Sequence, residues 1–382
     1  MTPLEKRPRS SLLGIFALAA AFATLLFVLL VPTWDAPWDP IESREWGWRG
    51  IAMNTFTSER TRSDPLNLVP ASIEPFEARG VSAGEAYENV QVLGDLHAAQ
   101  FDHLMLSITE WVAPEEGCAY CHNPDASFAA DDMYTKKVAR RMLTMVRDIN
   151  ANSKHIGDVG VTCYTCHRGQ GVPPRHWFKA VAAKPPMGGI VGKPPPWNRT
   201  AKTMRDFFPR AAFENYLLDD QQIMGAQARS VSGEVTDLAD LENIYILMMQ
   251  MSDGLGVNCN FCHNSRAFAD WSQSTPKRIT AWYGIRMTRG INRDYLVQMH
   301  DLFPADRLGP LGDVAKVDCG TCHNGMSRPL GGAPMARGYE GLRGPGSGSA
   351  ITRETAFETR QPYEAEISEP APTPAGLQQD GE

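Results

Sequence analysis

The sequence predicts a mainly α fold with long irregular connections, built as two similar units around four copies of one short motif. Three observations carry this. First, Cys-x-x-Cys-His occurs as Cys118-Ala-Tyr-Cys121-His122, Cys163-Tyr-Thr-Cys166-His167, Cys259-Asn-Phe-Cys262-His263 and Cys319-Gly-Thr-Cys322-His323, which uses all 8 cysteines. Second, stretches with helical character lie ahead of the motifs. Third, Met145-Val-Arg-Asp-Ile-Asn150 resembles Met287-Thr-Arg-Gly-Ile-Asn292, and each precedes a Thr-Cys-His motif. An internal repeat of this kind points to a duplicated unit.

Cys-x-x-Cys-His is the pattern of covalent c-type haem attachment. The two thiols add to the two vinyl groups of a haem, and the adjacent histidine becomes the fifth ligand of its iron. A redox dithiol is also Cys-x-x-Cys, but it needs no following histidine and rarely occurs four times. Structural zinc takes two such pairs per metal and leaves four identically placed histidines unexplained. The expectation is a multihaem c-type cytochrome of two pseudo-repeated dihaem units, with four covalently bound haem c groups.

Composition fits that class. The chain has 382 residues, enough for two or three domains. Its 33 Gly and 28 Pro suit long irregular connections. A net charge of -7 argues against nucleic acid and suits a basic protein partner. Covalent haem attachment takes place outside the cytoplasmic membrane, so the bulk of the chain is placed in a bacterial periplasm.

Residues 1–33 read as a cytoplasmic N-terminus and a single transmembrane anchor. Lys6, Arg7 and Arg9 precede an uncharged run to Val31, and Asp35, Asp39 and Glu42 follow it. A run of about 20 apolar residues spans roughly 30 Å, the thickness of a bilayer core. The charge order leaves the N-terminus inside, and Trp34, Trp38, Trp46 and Trp48 suit the outer interface. A cleaved signal peptide is the rival reading, but its apolar region is usually shorter. No cysteine precedes Cys118, which excludes a lipid-modified N-terminal cysteine in this sequence.

Residues 34–83 have no sustained period and read as an extended arm. The first dihaem unit is assigned to 84–171, with a helix starting at Asp95 as N-cap and ending before Pro114, then a helix over 131–152. Residues 172–232 are Pro/Gly-rich and read as a connection with a strand or short helix. The second unit is 233–332, with a helix over about 276–303. Residues 333–382 are assigned as a flexible tail, with 345–382 disordered or ordered by a partner.

The sixth iron ligand separates an electron carrier from an enzyme, because an open position admits substrate. A thioether there raises the reduction potential relative to a second imidazole. Met105 stands 13 residues before Cys118, and Met248 stands 11 before Cys259. The second helix offers Met142 and Met145. In the repeat register Met142 falls opposite Gly284, and Met145 opposite Met287. The fourth helix therefore lacks a methionine where the second has Met142. His155, eight residues before Cys163, is the best candidate to fill that gap from the other unit, with His300 as the local rival. His97, His103 and His176 read as surface or core residues.

These stretches, with Asn89-Val-Gln-Val-Leu-Gly94, Ile108-Thr-Glu-Trp111, Ala139-Arg-Arg-Met142, Gly256-Val-Asn-Cys259, Ser274-Thr-Pro-Lys-Arg278 and Ala281-Trp-Tyr-Gly-Ile-Arg-Met287, resemble the tetrahaem cytochrome subunit of purple-bacterial photosynthetic reaction centres. The resemblance covers roughly residues 48–332. It implies three His/Met haems and one His/His haem: Met105 with His122, Met142 with His167, Met248 with His263, and His155 with His323. It implies that Arg278 raises the potential of the third haem. It also implies a subunit docked on the reaction-centre core membrane subunits, re-reducing the photo-oxidised bacteriochlorophyll pair. The electrons would come from a soluble cytochrome c or a high-potential iron–sulfur protein. The His263 haem would lie nearest the pigments and the His122 haem farthest. The expected location is the inner photosynthetic membrane. Two other classes share some features: a multihaem oxidoreductase, which needs an open iron, and a membrane-anchored quinol dehydrogenase, which is shorter and richer in His ligation.

Overall fold

A computed structural model describes residues 10–30, 41–46, 53–73, 76–77, 79–179, 211–221, 223, 238–268 and 270–343. The first helix, α1 (Ser10–Leu30), is uncharged over its 21 residues. Its side chains are described for residues 14–26, where Ile15, Phe16, Leu18, Phe22 and Leu25 all stand exposed. Among the residues whose side chains are described, which in α1 are only 14–26, no helix is long and apolar enough to cross a membrane.

The arm is not structureless. It forms an antiparallel hairpin, β1 (Ile41–Trp46) with β2 (Met53–Ser58), pairing Ile41 with Ser58 and Trp46 with Met53. The hairpin packs beside the third motif, at Cys259–Phe261. Asn67 then docks on the fourth motif, its Nδ2 donating to Asn324 O at 3.1 Å.

Helix α2 runs Ala98–Val112 and begins two residues later than the Asp95 cap predicts. The Asp95 carboxylate accepts from Arg147 Nη2 at 2.8 Å, so it is not free to cap. The His97 N–H instead donates to Gln100 Oε1 at 3.3 Å. Helix α3 (Tyr134–Asn152) also starts late, because Asp131 accepts from Arg140 and Asp132 from Asn123. The second motif forms a short helix, α4 (Cys163–His167).

The described part of the connecting segment includes α5 (Ala211–Leu217), where Ala212, Tyr216 and Leu217 are fully buried. It forms a second core with Trp177, Leu247 and Ile285. Helix α6 (Leu238–Leu255) leads to the third motif and α7 (Lys277–Gly290) to the fourth. Past Gly290 the helix widens into a π-turn, tightens again at Val297–Leu302 and ends before Phe303. The fourth motif is α8 (Cys319–His323).

The larger core gathers Leu104 and Trp111 of α2, Val146 and Ile149 of α3, Met287 of α7, and Ile291, Tyr295 and Met299 beyond it. Both halves of the chain therefore share it. Tyr339 and Leu342 belong to the same core, and Asn150 Nδ2 donates to Leu342 O at 2.8 Å. Residues 333–343 are thus part of the folded body rather than of a flexible tail, because their apolar side chains complete it. The expectation for 345–382 lies outside the described residues.

Candidate haem-attachment sites

All four motifs present their histidine in one way. Nδ1 lies against a backbone carbonyl: His122 on Phe128 O at 3.2 Å, His167 on Gln170 O at 2.9 Å, His263 on Phe268 O at 2.9 Å and His323 on Met326 O at 2.8 Å. A carbonyl only accepts, so Nδ1 must carry the proton. Nε2 is then left with its lone pair, the state a metal-ligating imidazole needs. Burial pushes the pKa of each ring down, which favours the neutral form, and that of His323 falls to about 4.

Four of the thiols are held protonated as well. Burial lifts Cys121 and Cys262 to about 11, and Cys163 and Cys319 to about 12. A redox dithiol or a zinc-thiolate site needs the opposite, a stabilised thiolate. Among the described residues, no group of three or more His, Cys, Asp or Glu could hold a metal ion. The donor set fits haem c: thiol pairs that suit uncharged thioethers, each with an oriented neutral imidazole beside it.

The motifs fall into two local types. In the second and fourth, the histidine closes a short helix and the next two residues turn left-handed: Arg168 (φ 54) and Gly169 (φ 79), Asn324 (φ 46) and Gly325 (φ 79). In the first and third, a phenylalanine lies on the histidine ring, Phe128 at 4.8 Å and Phe268 at 5.4 Å between centroids. A threonine hydroxyl also donates to the residue before the second cysteine, Thr135 to Tyr120 O and Thr275 to Phe261 O. The matched asparagines behave alike. Asn150 exchanges two hydrogen bonds with the backbone of Val161, and Asn292 with that of Val317, each two residues before a motif.

In space the motifs do not follow chain order. The first motif lies beside the second, where a Cβ on Gly171 would run into Tyr120, and the third lies beside the fourth, where the Gly325 N–H donates to Gly254 O at 2.8 Å. Cys166 Sγ lies 2.8 Å from Cys322 Sγ. The row is therefore 122, 167, 323, 263. Arg168 holds its middle. Its buried guanidinium donates from Nε to Thr165 O at 3.0 Å, from Nη1 to Leu66 O at 2.7 Å, and from Nη2 to Cys322 O. Sequence reasoning missed Arg168, because nothing in the local sequence signals that this arginine is buried.

The other candidates separate by burial. Met105, Met142 and Met248 are half-buried, each packed at the margin of a core. Met145, Met251, Met287 and Met299 are buried within the cores and serve as packing. Met249 is half-buried too, so burial alone does not separate it from Met248. His155 reaches across from the first half to His323, with ring centroids 5.9 Å apart and planes at 62°. Its Nδ1 lies 2.8 Å from Thr280 O, which again leaves Nε2 free. One metal ion held between two imidazole nitrogens at about 2.0 Å each fits such a separation. His300 is otherwise engaged, with Nδ1 on Asp301 and Nε2 on Gly312 O. His97, His103 and His176 bond to backbone carbonyls of Gly80, Ile73 and Pro173. Arg278 stacks on Trp271 at 3.9 Å, donates to Ser274 Oγ, and acts on both Cys262 and His263.

Comparison with known proteins agrees with this geometry. Residues 36–343 match the family model described as photosynthetic reaction centre cytochrome C subunit. Three relatives are named photosynthetic reaction center cytochrome c subunit. That of Thermochromatium tepidum is 43% identical, over 79% of this chain and 75% of its own length. That of Rubrivivax gelatinosus is 40% identical, over 80% and 84%. That of Roseobacter denitrificans is 38% identical, over 84% and 89%. Membership implies covalently bound haem c, a reaction-centre core to associate with, and a photosynthetic membrane as location. The chain belongs to the family of photosynthetic reaction-centre cytochrome c subunits, which are electron carriers and not enzymes.

Proposed function

We propose that this chain holds four haem c groups and relays electrons from a soluble periplasmic donor to the photo-oxidised special pair of a reaction centre. The donor is a cytochrome c or a high-potential iron–sulfur protein. The observation that carries this reading is the row of four motifs, each with its imidazole neutral and its Nδ1 tied to a carbonyl. Bound haem c supplies a one-electron couple whose potential its axial ligands set. The protein's part is to fix those ligands and exclude substrate from both faces.

The attachment sites are Cys118 and Cys121, Cys163 and Cys166, Cys259 and Cys262, and Cys319 and Cys322. The axial pairs are Met105 with His122, Met142 with His167, Met248 with His263, and His155 with His323. Half-burial of the three methionines and the facing rings of His155 and His323 support these pairs. The chain is two pseudo-repeated dihaem units, supported by the two local motif types and the matched bonds of Asn150 and Asn292. Arg278 places a cation beside the His263 site and raises its potential. Helix α1 is the membrane anchor, supported by its uncharged 21 residues. The His263 end faces the pigments and the His122 end faces the donor.

The test is flash excitation of native membranes with absorbance read in the haem bands, together with a haem count on the purified subunit. Haem oxidation following pigment oxidation, with four covalent haems per chain, is the expected result. Fewer haems, or stoichiometric carbon monoxide binding to the reduced native protein, would overturn it.

A further inference from the structure

Helix α7 carries a recess shaped to one imidazole. A Cβ built on Gly284 would lie 2.7 Å from Cε1 of His155, 2.9 Å from its Nδ1 and 3.2 Å from its Nε2. The ring therefore lies against bare helix backbone. One turn earlier, Thr280 O holds Nδ1 at 2.8 Å. One turn later, Met287 Sδ accepts from Ser153 Oγ at 3.1 Å, and Ser153 Oγ in turn accepts from the His155 N–H at 3.2 Å. Residues 280, 284 and 287 fall on one face of a helix. Together they seat the loop of 153–155 along it.

A glycine inside a helix is unfavourable relative to alanine, so this position calls for a reason. The matching position in α3 is Met142, half-buried at the margin of the shared core. Where one half has a thioether, the other half has nothing, and an imidazole from the first half fills the space.

We propose that Gly284 is the positioning residue that selects the axial ligand opposite His323, by admitting His155 where a side chain of α7 would otherwise stand. This rests on the haem-ligand reading above. It goes beyond it in assigning the choice of ligand to a residue that touches no metal. Gly284 itself acts only through the ring it accommodates.

Three variants test this: Gly284→Ala, His155→Ala and the double variant. Each is purified as the full haem-loaded subunit and scored for covalent haem content, redox titration and the spectroscopic signature of bis-imidazole haem. Gly284→Ala is expected to keep its haem content and the His/Met signals while the bis-imidazole signal is lost or shifted. In the His155→Ala background, Gly284→Ala should add no further change, because residues acting as one unit are non-additive. Added imidazole supplies a second readout that does not depend on the native loop. It should restore the bis-imidazole signal in His155→Ala and fail to do so in the double variant. An unchanged bis-imidazole signal in Gly284→Ala would overturn the proposal, as would imidazole rescue of both variants. Wild-type protein with four haems and no bis-imidazole signal would instead remove the ligand reading beneath it.

Discussion

At the scale of single residues, Arg168 shows how much one buried cation can hold. Three backbone carbonyls from three separate segments converge on its guanidinium. Among the described residues no carboxylate forms a salt bridge with it. Arg168→Met would leave those carbonyls without donors in a buried setting. Each such loss costs about 1–3 kcal/mol, so a destabilisation of at least about 3 kcal/mol is expected. A thermal melt of the haem-loaded subunit checks this; an unchanged midpoint would show that water replaces the guanidinium. Met248 belongs at this scale too. Met248→His should lower one midpoint potential in a redox titration, because an imidazole favours the oxidised iron more than a thioether does. An unaltered titration would remove Met248 from the ligand set.

The four proposed attachment motifs stand out in the sequence because covalent chemistry demands fixed spacing. The methionines were harder. Met142 and Met145 are three residues apart, and helical spacing alone puts both near the same face. Burial separates them, since Met145 lies inside the shared core and Met142 at its margin. Arg168 was not legible at all, because two of its three partners are carbonyls more than 100 residues away in the chain.

At the scale of elements, helix type and number were readable, and helix starts were not. Local propensity placed the start of α3 at Asp131, but that carboxylate is engaged by Arg140, Asn89 and Lys136, which hold it well below the usual carboxylate range. The linkage runs one way. A depressed folded pKa adds stability above the unfolded value of about 3.9, and that stability is lost as pH falls through the range below it. Thermal midpoints should therefore drop more steeply below about pH 4 in the native chain than in Asp131→Asn. Parallel curves for the two proteins would mean that the cluster contributes nothing. The exit of α6 is less forgiving. Gly256 has a φ of +63°, and a Cβ there would run into the backbone carbonyl of Gly325, just past α8. Gly256→Ala combines a left-handed backbone with that blocked approach, so a loss of about 2 kcal/mol or more is expected in denaturant unfolding.

At the scale of the molecule, the row 122, 167, 323, 263 was hidden from the sequence. Repeats reveal that units are alike, but not how they face each other. Here they meet through their second motifs, at Cys166 and Cys322, so each half turns its first motif outward. The chain is acidic, with a net charge of -7. Delivery of electrons from a basic donor should therefore slow as ionic strength rises, since screening shortens the reach of the field. Stopped-flow reduction across a salt series reads this directly; a flat dependence would assign the encounter to apolar contacts.

The borrowed ring of His155 has a consequence for how such a molecule can be divided. The second half of the chain is not self-sufficient, because His155 of the first half fills the recess at Gly284 and faces His323. A polypeptide severed between residues 180 and 210 would give two fragments that must reassemble before the later one is whole.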